Sequence, residues 1–152
     1  WYGYSLWNFD VLGGSPVAEE LSDTHFIRLR LTDSEGNLLS ENFYWRGNSD
    51  RRDFTALNSL PQAQVKVSSK LVEKDGRATI TAVVSNPKSA PVAFAVHVKP
   101  VRTTDGERIL PVLMNDNYFT LMPGEKRTVT MEFDAALLDG GSYRLVVEPY
   151  NR

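Results

Sequence analysis

From residue 65 onward apolar and polar side chains alternate with a period of two, the spacing of a strand with one face buried and one wet. Val65, Val67, Ser69 and Leu71 share one face while Lys66, Ser68 and Lys70 take the other. The alternation returns in Ala78–Ile80–Ala82–Val84, in Val92–Phe94–Val96–Val98, in Val129–Met131–Phe133 and in Tyr143–Leu145–Val147. Ile109–Met114 and Tyr118–Met122 read as two further short strands. The separators are Asp75-Gly76, Asn86-Pro87, Asp105-Gly106, Pro123-Gly124 and Gly140-Gly141, which supply a positive-φ glycine or a fixed-φ proline where the chain reverses. About seven half-buried antiparallel strands at this spacing predict a β-sandwich over residues 64–152. Asp134–Leu138 is only about one helical turn long and reads as a short connection.

Upstream, Phe26–Thr32 alternates, Asp33-Ser34-Glu35-Gly36-Asn37 reads as a turn, and Leu38–Trp45 alternates again with Leu39, Phe43 and Trp45 on one face. That pattern predicts a β-hairpin. Tyr2–Val11, aromatic-rich and followed by Gly13-Gly14-Ser15-Pro16, is a third candidate strand. Three strands cannot close a sandwich, so residues 1–45 read as part of a neighbouring β domain or an appended sheet. The polar stretch at 46–63 reads as a linker, with Phe54, Leu57 and Leu60 able to anchor it. The expected fold class is therefore all-β, an antiparallel sandwich with an additional N-terminal β segment.

Composition narrows the functions available. The 152 residues carry 17 Lys+Arg against 19 Asp+Glu, so no basic excess points to nucleic acid. With no cysteine, disulfides, thiolate catalysis and Cys-containing zinc sites are excluded. No apolar run reaches the roughly 20 residues of a membrane-spanning helix. The chain opens on Trp1, which predicts a piece of a longer polypeptide.

Candidate chemistry is sparse. His25 and His97 are far apart in sequence and make no metal-ligand spacing, so no metal or other cofactor is expected. No Gly-x-Ser-x-Gly and no phosphate-cradling loop occurs. Asn115-Asp116-Asn117 offers consecutive side-chain oxygens, but calcium loops place theirs at alternate positions and add a bidentate carboxylate. Glu125, Glu132 and Asp134 are carboxylates at turn or outward positions, poorly suited to the paired acid and nucleophile of glycoside hydrolysis. Trp1, Tyr2, Tyr4, Trp7, Phe43, Tyr44 and Trp45 crowd the first 45 residues. They read as packing between domains or, alternatively, as a platform on which sugar rings stack.

Two stretches carry a family resemblance. Phe26-Ile27-Arg28-Leu29-Arg30-Leu31-Thr32-Asp33, with Glu41-Asn42-Phe43-Tyr44-Trp45 and Ala56-Leu57-Asn58-Ser59-Leu60-Pro61, resembles the junction of two accessory domains in family 2 glycoside hydrolases of the β-mannosidase and exo-β-glucosaminidase branch. Asn115-Asp116-Asn117-Tyr118-Phe119, running into Leu121-Met122-Pro123-Gly124-Glu125, is similar to a run near the end of their C-terminal immunoglobulin-like domain. The resemblance implies an immunoglobulin-like sandwich and a periplasmic or secreted parent, with catalytic glutamates in a (β/α)8 barrel outside this chain. No catalytic residue is carried over. The implied partners are the catalytic and other domains of the same polypeptide, possible oligosaccharide, and neither nucleic acid nor membrane. Asn115, Asp116, Asn117 and Tyr118, together with Tyr44 and Trp45, are the expected carbohydrate or interdomain contacts. The alternatives are an independent carbohydrate-binding module and, behind it, an adhesion-type sandwich that binds protein.

Overall fold

The structure, a computed structural model, describes residues 24–47 and 53–152. The candidate strand Tyr2–Val11 and the aromatics Trp1, Tyr2, Tyr4 and Trp7 lie outside the described residues. The chain divides into two compact units, Trp1–Leu60 and Pro61–Arg152.

In the first unit, β1 (Thr24–Thr32) and β2 (Leu38–Gly47) form an antiparallel hairpin. Asp33 closes its turn, its carboxylate accepting from the backbone N–H of Glu35 at 2.9 Å and of Asn37 at 2.8 Å. Gly36 adopts the positive φ of +85° that the turn requires. Register pairs Phe26 with Trp45 and Arg28 with Phe43, so those side chains share a face. Phe26 stacks on Phe43 with ring centroids 5.4 Å apart, and Arg28 pairs with Glu41 at 2.8 Å. The hairpin's aromatic face is thus a mixed one. A short 3-10 helix, Thr55–Ser59, follows.

The second unit is a sandwich of seven strands: β3 (Lys66–Lys74), β4 (Arg77–Ser85), β5 (Ala93–Arg102), β6 (Leu113–Met114), β7 (Phe119–Leu121), β8 (Lys126–Asp134) and β9 (Tyr143–Glu148). One sheet has the order β3-β4-β8-β6 and the other β7-β5-β9. The strands end at Gly47 and the second unit begins at Pro61, where the pattern alone suggested segment ends at 45 and 63.

The alternation dictates the core. Ala78, Ile80, Ala82 and Val84 from β4 and Val129, Met131 and Phe133 from β8 meet Val96, Val98, Phe119 and Leu121 from the opposite sheet. Full burial of a side chain such as Ile80 or Met131 stabilises the unit by about 2 kcal/mol each. Asp75 (φ 52°) and Gly76 (φ 78°) make the two-residue β3–β4 turn with positive φ at both positions, the hairpin turn that matches strand twist. β3 lies at an edge of its sheet, where the alternation turns Lys66, Lys70 and Lys74 outward and discourages a further strand from pairing there. Ser69 Oγ and Tyr143 Oη, 2.9 Å apart, link the two sheets along one side.

Two expectations need correcting. Ile109–Met114 does not form one short strand: only Leu113–Met114 pairs with β8, whereas Ile109 donates its N–H to Pro100 O on the other sheet. The segment crosses between sheets, and Pro111 within it, after a cis Leu110–Pro111 bond, has no N–H to give a ladder. The alternation of β5 is also broken. Ala95 takes a left-handed φ of 46° and the register with β7 shifts between Ala93 and Val96, so Ala93 and its neighbour Phe94 are both buried.

Candidate functional site

The segment Asn115–Tyr118 joins β6 to β7, and three of its side chains work for the fold. β5 is longer than either neighbour, so its edges would present unpaired backbone groups. Asn117 fills one such gap. Its Oδ1 accepts from Val98 N at 2.8 Å and its Nδ2 donates to Val98 O at 3.0 Å, so one amide reproduces both hydrogen bonds of a strand rung. Asn115 extends the β6–β8 ladder in the same way, donating its N–H to Thr130 O at 3.2 Å and accepting Thr130 N on Oδ1 at 2.7 Å. Asp116 faces Arg127 at 3.5 Å. The consecutive oxygens are therefore engaged within the chain, and no group of three or more metal-ligating side chains occurs among the described residues.

Tyr118 is the exception. Its φ of 56° lies in the left-handed region, which costs a bulky residue on the order of 1 kcal/mol. Asn117 Oδ1 also accepts Tyr118 N at 3.0 Å and fixes that conformation. The ring lies flat on His97, centroids 4.6 Å apart and planes 6° from parallel, and the residue remains 64% exposed. His97 stands opposite Glu148 in the β5–β9 register. Glu148 accepts from Lys99 at 2.9 Å and also pairs with Arg152; the Lys99 hydrogen bond, aided by Arg152, holds the carboxyl below its usual range.

Partial burial, with Lys99 and Arg108 nearby, pushes the His97 pKa below its ordinary value of 6.5, against a smaller pull upward from Glu148. The folded state then binds the proton more weakly than the unfolded chain. The stability this confers is present above pH 6.5 and is lost as pH falls from there through the lowered folded value. His97→Gln should remove that acid-side loss. Melting temperatures recorded from pH 8 down to about 5 should fall less for the variant than for the parent chain, and parallel curves would contradict the assignment.

Tyr44 and Trp45 lie in the other unit, and as neighbours on β2 they point to opposite faces of the hairpin. They are 47% and 49% exposed. The two rings consequently do not form one flat platform. His25 pairs in register with Arg46 on the hairpin, and His97 is occupied by Tyr118. The carboxylates are also engaged: Glu125 Oε2 accepts Met122 N at 3.0 Å, Glu132 faces Arg77 at 3.8 Å, and Asp134 caps the short helix Ala135–Leu138 by accepting Ala136 N at 2.9 Å. These contacts leave the three carboxylates in structural roles at surface positions, unlike the facing pair that glycoside hydrolysis requires.

Sequence reasoning did not find Asn151 or the full role of Asn86. Asn151, buried near the chain end, accepts Phe94 N on Oδ1 at 3.0 Å and donates to Pro61 O at 2.6 Å and Val92 O at 2.9 Å. Asn86 donates to Pro91 O at 2.8 Å and Leu121 O at 3.0 Å. Neither sits in a motif or an alternating run; the only trace was the Asn86-Pro87 turn signal.

Architecture and register together define an immunoglobulin-like β-sandwich unit, preceded in the sequence by an aromatic hairpin. The family model described as the exo-beta-D-glucosaminidase Ig-fold domain matches residues 42–152, and the chain belongs to that family, the immunoglobulin-fold region of family 2 glycoside hydrolases. The exo-beta-D-glucosaminidase of Amycolatopsis orientalis is 32% identical over 90% of this chain and 15% of its own length. That of Hypocrea virens is 35% identical over 70% of this chain and 14% of its own. The crystal structure of the Amycolatopsis orientalis exo-chitosanase CsxA superposes with a TM-score of 0.76 at 32% identity, covering 87% of this chain and 18% of that one. The chain spans less than a fifth of the length of each of these relatives.

Proposed function

We propose that this chain is the C-terminal accessory portion of a longer exo-acting family 2 glycosidase, one that removes β-D-glucosamine or a related β-linked sugar from chain ends. The observation that carries the reading is the match of the Ig-fold family model to residues 42–152, in relatives of which so short a region is a small fraction. The role is mechanical. A close-packed sandwich has low compressibility and can buttress a catalytic barrel, while loops such as Asn115–Tyr118, and Tyr44 and Trp45 on the hairpin, contact neighbouring domains or narrow the entrance to the substrate's end. The catalytic carboxylates belong to the barrel, which this chain does not contain. A periplasmic or secreted location fits a polysaccharide substrate, and an export signal at the start of the complete reading frame would support it.

Expression of the complete reading frame with and without residues 61–152 tests the role. The truncated product should lose most of its exo-glycosidase activity or its solubility, and a truncated product of unchanged activity and melting temperature would contradict it. A second reading, an independent carbohydrate-binding module, would use the half-exposed Tyr44 and Trp45 singly, since they lie on opposite faces of the hairpin. It requires tryptophan fluorescence of the isolated chain to change on titration with chitosan or mannan, and a flat titration removes it.

A further inference from the structure

The outer face of the β7-β5-β9 sheet gathers basic side chains around an exposed aromatic ring. His97 and Lys99 lie half-buried on the outer side of β5, Val101 is buried on that same side, and the register places Glu148, Val146 and Arg144 opposite them on β9. Arg108 bridges Val101 from the other side, so its side chain joins the same face. Arg108 and Arg144 make no ion pair among the described residues, and Glu148 already answers both Lys99 and Arg152. The face is therefore basic on a chain whose net charge is -2. On it rests the Tyr118 ring, held in a strained backbone conformation with one side on His97 and the other open. Rigid exposed aromatics beside uncompensated arginines are the side chains that anchor protein interfaces, because they bury much area and lose little entropy.

We infer that this face, centred on Tyr118 and flanked by Arg108 and Arg144, is where the sandwich docks on the remainder of its own polypeptide, against a surface that presents carboxylates around an apolar or ring contact. The inference rests on the accessory-domain reading above. Two observations select that occupant. More than four fifths of the length of the relatives lies outside the matched region, and the basic face calls for acidic complement.

Hydroxyl-radical footprinting of the purified product of the complete reading frame, compared with the isolated 152-residue chain, tests this. Tyr118 should be modified about fivefold less in the complete product, because an interface core excludes water, while exposed Leu113 on the other sheet serves as reference. An Arg108→Glu, Arg144→Glu variant should lose that protection, and the melting temperature of the isolated chain should barely move because both arginines are exposed. Equal modification of Tyr118 in both proteins overturns the inference and leaves the accessory-domain reading standing. A complete product no larger than 17.1 kDa overturns that reading and removes the partner with it. Protection of Tyr118 in the isolated chain by alginate, without protection in the complete product, would make the face a site for acidic saccharide and also overturn the inference.

Discussion

Asn151→Ala should be the most damaging single amide replacement in the sandwich, costing about 3 kcal/mol and lowering the melting temperature by roughly 15 °C. β5 begins at Ala93, but β9 reaches it only from His97 onward, and Pro149 cannot continue the ladder because it has no N–H. Tyr150 and Asn151 resume it: Tyr150 N donates to Phe94 O at 2.8 Å and Asn151 Oδ1 accepts Phe94 N at 3.0 Å. The same side chain holds Pro61 O and Val92 O, and its backbone carbonyl accepts Ala63 N at 2.7 Å. One buried residue thereby fastens the start of the unit, the start of β5 and the chain end. Alanine leaves a buried N–H and two carbonyls without their side-chain partner, each worth about 1 kcal/mol or more. Asn151→Asp should be no milder, since it keeps an acceptor for Phe94 but places a carboxylate against two carbonyl oxygens. Chemical denaturation of the isolated chain measures the cost, and a loss below about 1 kcal/mol would show that the three segments are fastened by other contacts.

The second large effect is expected at Asn117. Asn117→Ala should cost about 2 kcal/mol, somewhat less because water can reach this partly buried edge and replace some of the lost bonds. The loss should be local as well as global. Val98 N–H, now closed by Asn117, should exchange with solvent much faster in the variant, while the Ile80 and Met131 amides of the opposite sheet should change only with the global stability. Asn117→Asp keeps the acceptor for Val98 N and Tyr118 N but loses the donor to Val98 O, so an intermediate effect is expected. An unchanged Val98 exchange rate in Asn117→Ala would contradict the side-chain rung.

These two asparagines mark the limit of what the sequence made legible. Burial of alternate positions is a property of single residues repeated along a strand, so β4, β8 and the β1–β2 hairpin could be read from their own letters. The Asp75-Gly76 turn was legible because few residues tolerate positive φ at two successive positions. A side-chain rung depends on two segments whose proximity only the assembled fold creates: Asn117 lies 19 positions from Val98 and Asn151 lies 57 from Phe94. The bulge at Ala95 was hidden for a similar reason, since alanine carries no signal for a left-handed φ. In the candidate segment Asn115–Tyr118, the residue types suggested a ligand loop. Their partners show that Asn115, Asp116 and Asn117 serve the fold and leave Tyr118 presented outward.

The central claim, a non-catalytic accessory unit of a glycosidase, is tested most directly by turnover. The purified 152-residue chain and the product of the complete reading frame should each be incubated with p-nitrophenyl β-D-glucosaminide and p-nitrophenyl β-D-mannoside. The account predicts release of nitrophenol by the complete product and none above background by the chain alone. Nitrophenol released by the isolated chain, and abolished when its carboxylates Glu125, Glu132 and Asp134 are replaced, would contradict it.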